Sequence, residues 1–441
     1  MTMICQFHEL AALSATQRRA LLQRSEIDLS EVMAKAAPII DAVKQEGDAA
    51  LVRFARDLDG ASVTSGSLQV SAAEFDKAFA QIEPEIIDAI TFAIANIRNF
   101  HEVQCPEPMG LQEIRPGAFA GDRWTPIQSA ALYVPRGKGA FPSVTMMTTI
   151  PAVLAKVPHL AILTPPTGDG SVDAATLVAA RLAGVTTIYK CGGAQAVAAA
   201  AFGTETVKPC RKIVGPGSPW VVAAKRLLAG VIDTGVPAGP SEALIFADDS
   251  VDGGLAALDL LIEAEHGPDS SAFLVTHSRR VAEEARDALT SHWSAMSEQR
   301  VEFSRAVLTG AHGGIILTPS LAASYDFIND YAPEHLEILS TAPFEHLGSI
   351  TEAAEILLGP HTPVSLGNFV LGPNAVLPTS SWARSYGPLS VTDFLKRTSV
   401  GFVTAKAYDE MAHHAELLAR YEGFSAHANA VSELRRPYLK E

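Results

Sequence analysis

Apolar residues recur at three- and four-residue spacing through LSEVMAKAAPIIDAVKQEGDAALVRFARDLDG, and Gly60 supplies a stop, so the chain up to about Phe100 is expected to be helical. From Ala130 the period changes. Short apolar runs (ALYVP, LAILTPP, TTIYKCGG, KIVGPG, then EALIFADD, AFLVTHS and GIILTPS) alternate with alanine-rich, helix-like stretches. A parallel sheet wrapped by helices requires this alternation, because each crossover must return the chain to the same edge. The pattern predicts an α/β protein with two such layers. From Ser380 to Glu441 the pattern turns polar and helical again: Glu422 and Gly423 close one helix, and Ser425 is placed to cap the next, which carries His427 in its first turn. A tail this short buries too little to stand alone, so it is expected to dock on the body or on a second subunit.

Several apolar runs end in Gly or Pro: YVPRG, TPP, CGGAQA, GPG and PAGPSE. In open α/β sheets ligands sit beyond the carboxyl ends of the strands, where glycine lets them approach the backbone, so these turns are expected to mark a cleft. No complete GxGxxG or GxxxxGK[ST] loop is present. The length of 441 residues predicts two or three domains. A net charge of -15 argues against a nucleic-acid partner, since binding a phosphate backbone relies on clustered Lys and Arg. Cys5, Cys105, Cys191 and Cys210 form no CxxC pair, which fits a reducing, cytoplasmic setting. The N-terminus lacks the pattern of a cleaved leader, and no apolar run is long enough to span a membrane.

Candidate chemistry concentrates in LLIEAEHGPDS. Leu255, Leu258 and Ile262 predict a helix over Val251–His266, ended by Gly267 and Pro268. Glu263 and His266 share a face, so they could touch one ion; equally, a cationic His266 could be stabilised by the helix C-terminus and a neighbouring carboxylate. Elsewhere, His413 and His414 read as a solvated face, and Met146 and Met147 as core. His101 with Glu102 lacks the second histidine of HExxH. Trp124 and Trp382 read as packing.

The motifs GGAQAVAAAAFGTET, KIVGPG, PAGPSE, AEHGPDS, PEHLEI, GPNAVLPT and AHANAV occur in an order and spacing that resemble the histidinol dehydrogenases, from about Tyr133 to the C-terminus. The resemblance implies a homodimeric enzyme with one Zn2+ per subunit that uses NAD to oxidise an amino alcohol, through an aldehyde, to a carboxylate. Carried over by position, it places zinc ligands at Glu263, His266, Asn368 and His427, and an acid/base pair at Glu334 and His335. It places NAD contacts at Tyr133, Gln195 and Ser218. Substrate contacts fall at Ser241 and Glu422, joined by Glu263, His266, His335, Asn368 and His427. It also implies two Rossmann-like, doubly wound domains with helical extensions. These are an N-terminal extension (1–22), a discontinuous first domain (23–130 plus 240–380), an NAD-binding domain (131–239), and a C-terminal tail (381–441) that contributes to the site across a dimer.

Departures from the family pattern shape the expected function. Glu263 stands where glutamine is usual and Asn368 where aspartate is usual; Val364 replaces a glutamate, Phe369 a tyrosine and Ala375 a histidine. Losing a carboxylate and a histidine removes partners that a histidinol ammonium and ring would use, which predicts a more apolar pocket. The expectation is therefore a zinc-dependent paralogue that oxidises a different polar, primary alcohol. The alternatives are an authentic L-histidinol dehydrogenase of histidine biosynthesis, and a non-redox metal-site binding protein or hydrolase. On the NAD side, Arg136 interrupts YVPRG and is expected to be a loop arginine rather than a phosphate partner, while Ser218 replaces an asparagine. In the expected mechanism His335 takes the hydroxyl proton and Glu334 orients or deprotonates the water that attacks the aldehyde. Zinc would orient the substrate and polarise its oxygen.

Overall fold

Two all-parallel sheets carry the fold. The computed structural model describes residues 4–24, 29–137 and 139–439, so the outermost residues of both expected extensions lie outside it. The chain forms two units: one runs to Gln104 and resumes over Ile127–Phe394, and the other comprises Cys105–Pro126 and the chain from Leu395 onward.

In the first unit, a six-stranded sheet has the spatial order Phe7–Glu9, Gly313–Leu317, Ser271–Thr276, Glu242–Ala247, His335–Leu339, Glu355–Leu358. All its pairings are parallel. Every residue of Glu242–Ala247 and Ser271–Thr276 is buried, as strands covered on both faces must be. On one face, Ile245, Leu274, Ile315 and Leu357 pack with Ala257, Leu260 and Leu261 of the helix Gly253–Ala264. On the other, Phe246, Phe273 and Leu336 pack with Ile328 and Tyr331 of the helix Leu321–Tyr331. A four-stranded sheet follows the order Ile188–Lys190, His159–Thr164, Ser129–Tyr133, Lys212–Val214, again parallel throughout. Helices Leu29–Glu46, Asp48–Asp57, Gly193–Phe202 and Pro219–Leu228 cover one of its faces. No helix among the described residues is long and apolar enough to cross a membrane.

Two segments differ from the expectation of helix. Phe7–Glu9 is an edge strand beside Gly313–Leu317. Three residues are too few to show a period, and a partner some three hundred positions away decides their structure. In the second unit, Leu395–Val403 pairs antiparallel with Ala118–Pro126, which pairs with Met109–Arg115. Nearly all of Leu395–Val403 and the whole of Met109–Arg115 are exposed, so neither shows the alternation by which a half-buried strand announces itself. The helices Ala405–Tyr421 and Ser425–Val431 follow. Glu422 and Gly423, with φ +81° at the glycine, end the first as expected, whereas Ser425 is the first helical residue of the second rather than its cap.

The GPG turn after Lys212–Val214 shows why glycine is needed at a strand end. Gly215 adopts φ +114°, and a Cβ there would stand 2.1 Å from the carbonyl oxygen of Tyr133 on the neighbouring strand. Gly215→Ala must both strain the backbone and part the two strand ends, costing about 1–3 kcal/mol. A fall of that size in urea-unfolding stability is expected; an unchanged midpoint would show that the turn relaxes freely.

Candidate active site

Parallel register gathers the chemistry at the amino ends of the six-stranded sheet. His335 is the first residue of its strand and pairs with Ala243 on one side and with Glu355, also a first residue, on the other. Because side chains alternate, His335, Glu337 and Glu355 face the helix Gly253–Ala264, while Glu334 and Glu242 face the opposite layer. The helix runs antiparallel to the strands, so its C-terminal end, carrying Glu263 and then His266, arrives at the same place.

His335 is almost fully buried, and its Nδ1 lies 2.6 Å from Glu355 Oε2. Its Nε2 lies 4.0 Å from Glu334 Oε1, beyond hydrogen-bond range. Burial alone would lower the ring's proton affinity, but the Glu355 hydrogen bond and the charges of Glu334, Glu355 and Glu263 override it and push the pKa up to about 10. The Glu334 carboxyl is raised well above the usual range by burial, against the pull of His335, and its Oε2 accepts the Glu242 N–H at 2.8 Å. Burial also raises Glu242, opposed by Arg24, whose Nε lies 2.9 Å from Glu242 Oε1, and by the Ser380 N–H at 2.8 Å. Arg24 in turn stacks over the Tyr331 ring, 3.2 Å from its centroid, and donates to the Tyr331 carbonyl.

Glu263 is buried, which would raise its pKa, yet His266, His335 and hydrogen bonds from Asn368 and Ser241 hold it below the usual carboxylate range. Asn368 Nδ2 donates to its Oε1 at 2.8 Å, and His266 Nδ1 lies 3.2 Å from its Oε2 and 3.1 Å from the Ile262 carbonyl. Below this layer sits a carboxyl pair: Asp259, one helical turn before Glu263, and Glu337, two residues after His335. Burial raises both pKa values, and the two side chains hydrogen-bond to each other. Glu337 Oε2 accepts the Val364 N–H at 3.3 Å, while Glu337 Oε1 and Asp259 Oδ2 find no donor in any other described residue. Two buried acids arranged in this way share one proton.

Tyr133, Gln195 and Ser218 stand at the carboxyl ends of the four-stranded sheet. The buried Tyr133 hydroxyl accepts the Gly193 N–H at 3.1 Å, and Gln195 Nε2 donates to Asp59 Oδ2 at 3.4 Å. Burial pushes the Asp59 carboxyl up to about 6, against the opposing influence of Arg136 and Gln195. Ser218 is exposed and precedes the helix Pro219–Leu228 without a side-chain cap. Arg136 donates to the Pro166 carbonyl at 3.0 Å, which gives it a role in holding the loop. Glu422 and His427 belong to the second unit, where both are exposed and the His427 ring lies 5.3 Å from that of Phe424.

These contacts overturn the expected zinc site. No group of three or more His, Cys, Asp or Glu among the described residues could hold a metal ion. Of the four expected ligands, Glu263 accepts from Asn368 Nδ2 and lies 3.2 Å from His266 Nδ1, which also faces the Ile262 carbonyl, and His427 belongs to the second unit. With no such group, no chemistry is routed through zinc.

Val364 and Ala375 do not open the apolar pocket that their substitution predicts. Val364 is fully buried in the core rather than lining a cleft, and Ala375 is half-buried. Meanwhile Glu242, Glu263, Glu334 and Glu355 surround one imidazole. Two of these, Glu242 and Glu355, escaped the sequence reading, as did Arg24 and the Asp259–Glu337 pair. A signal existed for Glu355: in AAEILLG it is a lone charge on the same strand face as Leu357, in a run otherwise fit for burial.

The histidinol dehydrogenase family model matches residues 22–435. The chain is 74% identical over 433 residues to histidinol dehydrogenase homolog 2 of Mesorhizobium japonicum, covering 98% of each protein. It is 48% identical over 425 residues to a histidinol dehydrogenase of Synechocystis, covering 96% of this chain and 98% of that one. A crystal structure of histidinol dehydrogenase from Elizabethkingia anophelis matches with a TM-score of 0.92 at 31% identity, covering 100% of both chains. With the absence of a metal-holding group among the described residues, these likenesses overturn the expectation of a zinc-dependent paralogue acting on another alcohol.

The shared proton fixes a pH dependence. Raised folded-state values mean that stability is lost as pH climbs from the ordinary carboxylate range toward the folded pKa values, because the unfolded chain releases protons that the fold retains. Glu337→Gln replaces the protonated partner with a permanent donor. Its melting temperature relative to wild type is expected to rise steadily between about pH 5 and about pH 9. A pH-independent difference would contradict proton sharing.

Proposed function

This chain belongs to the histidinol dehydrogenase family and is an NAD-dependent oxidoreductase acting on CH–OH groups; from that premise we propose that it is an authentic L-histidinol dehydrogenase. The observation that carries this reading is the acidity of the site: four carboxyl groups around one histidine, Glu263 held below and Glu334 raised above the usual range, with the negative end of the helix Gly253–Ala264 directed at them. Such a field favours a small cationic amino alcohol over a neutral or acidic one.

Tyr133, Gln195 and Ser218 would hold NAD. The helices Gly193–Phe202 and Pro219–Leu228 both begin at the carboxyl ends of parallel strands without a side-chain cap, which leaves backbone N–H groups suited to a pyrophosphate. NAD, when bound, supplies the acceptor for the hydride leaving the alcohol carbon. The protein's own part is acid–base. His335 Nε2, the ring atom without a hydrogen bond, takes the substrate hydroxyl proton once the ring is neutral. Glu334, held by the Glu242 N–H and raised by burial, orients the water that adds to the aldehyde and accepts its proton. Ser241, half-buried and hydrogen-bonded to the buried Glu263, would meet the substrate, while Glu263 acts on its cationic groups through its charge.

In this reading residues 131–239 form the NAD-binding domain, and 23–130 with 240–380 form the domain bearing His335. The enzyme is a homodimer in which the tail contributes Glu422 and His427 to the site. The second unit supports that assignment by leaving Leu417, Leu418, Tyr421, Phe424 and Tyr438 exposed, more apolar surface than so small a unit keeps in water without a partner.

Purified protein is expected to reduce NAD with L-histidinol at a kcat/KM of about 10⁴ M⁻¹s⁻¹ or more, and His335→Ala to lower kcat by roughly 10²–10⁴ with the fold intact by circular dichroism. Absence of NADH formation with L-histidinol, alongside turnover of another alcohol, would refute the substrate. Full activity in His335→Ala would refute the base.

A further inference from the structure

We propose that Glu355 is a positioning residue for His335: by accepting from Nδ1 it fixes the ring and leaves Nε2 as the only atom able to take a substrate proton. This rests on the reading of His335 as the base.

The fold builds the pair with little freedom. His335 and Glu355 are register partners at the first positions of adjacent parallel strands, and each side chain is 4% exposed. Above the carboxylate lies Gly367, in the short helix Val364–Phe369. A Cβ there would stand 3.0 Å from Oε1 and 3.3 Å from Oε2 of Glu355, so the glycine leaves room for the carboxylate and a side chain would press on it. Glu355 Oε1 is buried and has no hydrogen-bond partner among the described residues. The carboxylate therefore has no competing donor to turn toward.

The other charged groups around the ring are committed elsewhere. From the layer behind, Glu334 is tied to the Glu242 N–H, and Glu242 to Arg24 and Ser380. From the helix Gly253–Ala264, Glu263 is held by Asn368 and His266, while Asp259 and Glu337 share a proton with each other. Glu334, Glu242 and Glu263 contribute a field at the ring, and Glu355 alone contributes a hydrogen bond. An ionised acceptor on Nδ1 stabilises the imidazolium, so the ring must be driven to high pH before Nε2 can act as a base. With the amide of glutamine as acceptor, the orientation is kept and the charge is lost.

The test is the pH dependence of kcat for NAD reduction with L-histidinol in wild type, Glu355→Gln and His335→Gln. Wild-type log kcat is expected to climb with pH into the alkaline range. In Glu355→Gln the ascending limb is expected to move to lower pH by about 1–3 units, with the plateau within about tenfold of wild type. A limb that stays in place while His335→Gln is inactive would overturn the role of Glu355 and leave the base intact. Persistence of both turnover and limb in His335→Gln would instead sink the underlying reading. Should Glu355→Gln fail to fold, Gly367→Ala, which displaces the carboxylate from above, is expected to shift the limb the same way, and an unmoved limb there would equally refute the proposal.

A second readout needs no substrate. The folded ring's raised proton affinity stabilises the protein fully below the unfolded imidazole value of about 6.5, and this stabilisation disappears as pH rises through the folded value of about 10. The melting-temperature deficit of Glu355→Gln is therefore expected to shrink across that window; a constant deficit would contradict an ion pair.

Discussion

The structure depends on one electrostatic constraint: a buried imidazole must carry its charge among buried carboxylates, and every neighbour is arranged to make that tolerable. Parallel pairing of Glu242–Ala247, His335–Leu339 and Glu355–Leu358 fixes the acids around His335 by register alone. Removing charges from water costs several kcal/mol each unless opposite charge and hydrogen bonds offset the loss. Here the offsets are specific. Arg24 neutralises Glu242, backbone N–H groups serve Glu242 and Glu334, and Asp259 and Glu337 avoid a second buried charge by sharing a proton.

That arrangement ties stability to function. The layer of apolar side chains behind the site, Phe246, Phe273, Ile328 and Tyr331, keeps water out and so strengthens each interaction in front of it. Tyr331 belongs to both: its ring carries the Arg24 guanidinium and its hydroxyl lies 2.6 Å from the Ser271 hydroxyl, at the first position of the next strand. The two sheets divide the labour by polarity. Titratable groups collect at the amino ends of one, whereas glycine turns and uncapped helix starts collect at the carboxyl ends of the other.

Much of this was legible in the sequence. The alternation of apolar runs with alanine-rich stretches gave the parallel sheets, because a strand buried on both faces has no polar face to show. The helix read as Val251–His266 is present as Gly253–Ala264, with Glu263 and His266 in contact at its end. What escaped depends on partners distant in sequence. Leu395–Val403 is a strand only because Ala118–Pro126 lies beside it. Glu355 matters only because the register sets it against His335. The rule that ligands gather at the carboxyl ends of strands drew attention to the glycine turns of the four-stranded sheet and away from the amino-end cluster of the six-stranded one. The zinc reading failed for a related reason: a motif supplies residue types, and lone pairs already engaged by Asn368, His266 and the backbone are visible only in three dimensions.

The central claim is that His335 is held as an imidazolium by the acids around it, Glu355 foremost. The most direct measurement is a pH titration of the ¹⁵N-histidine resonances of the ligand-free protein, with His335 assigned by its loss in His335→Gln. The account expects both ring nitrogens to stay protonated through neutrality, with a midpoint of about 10. A midpoint near the ordinary imidazole value of about 6.5 would contradict it.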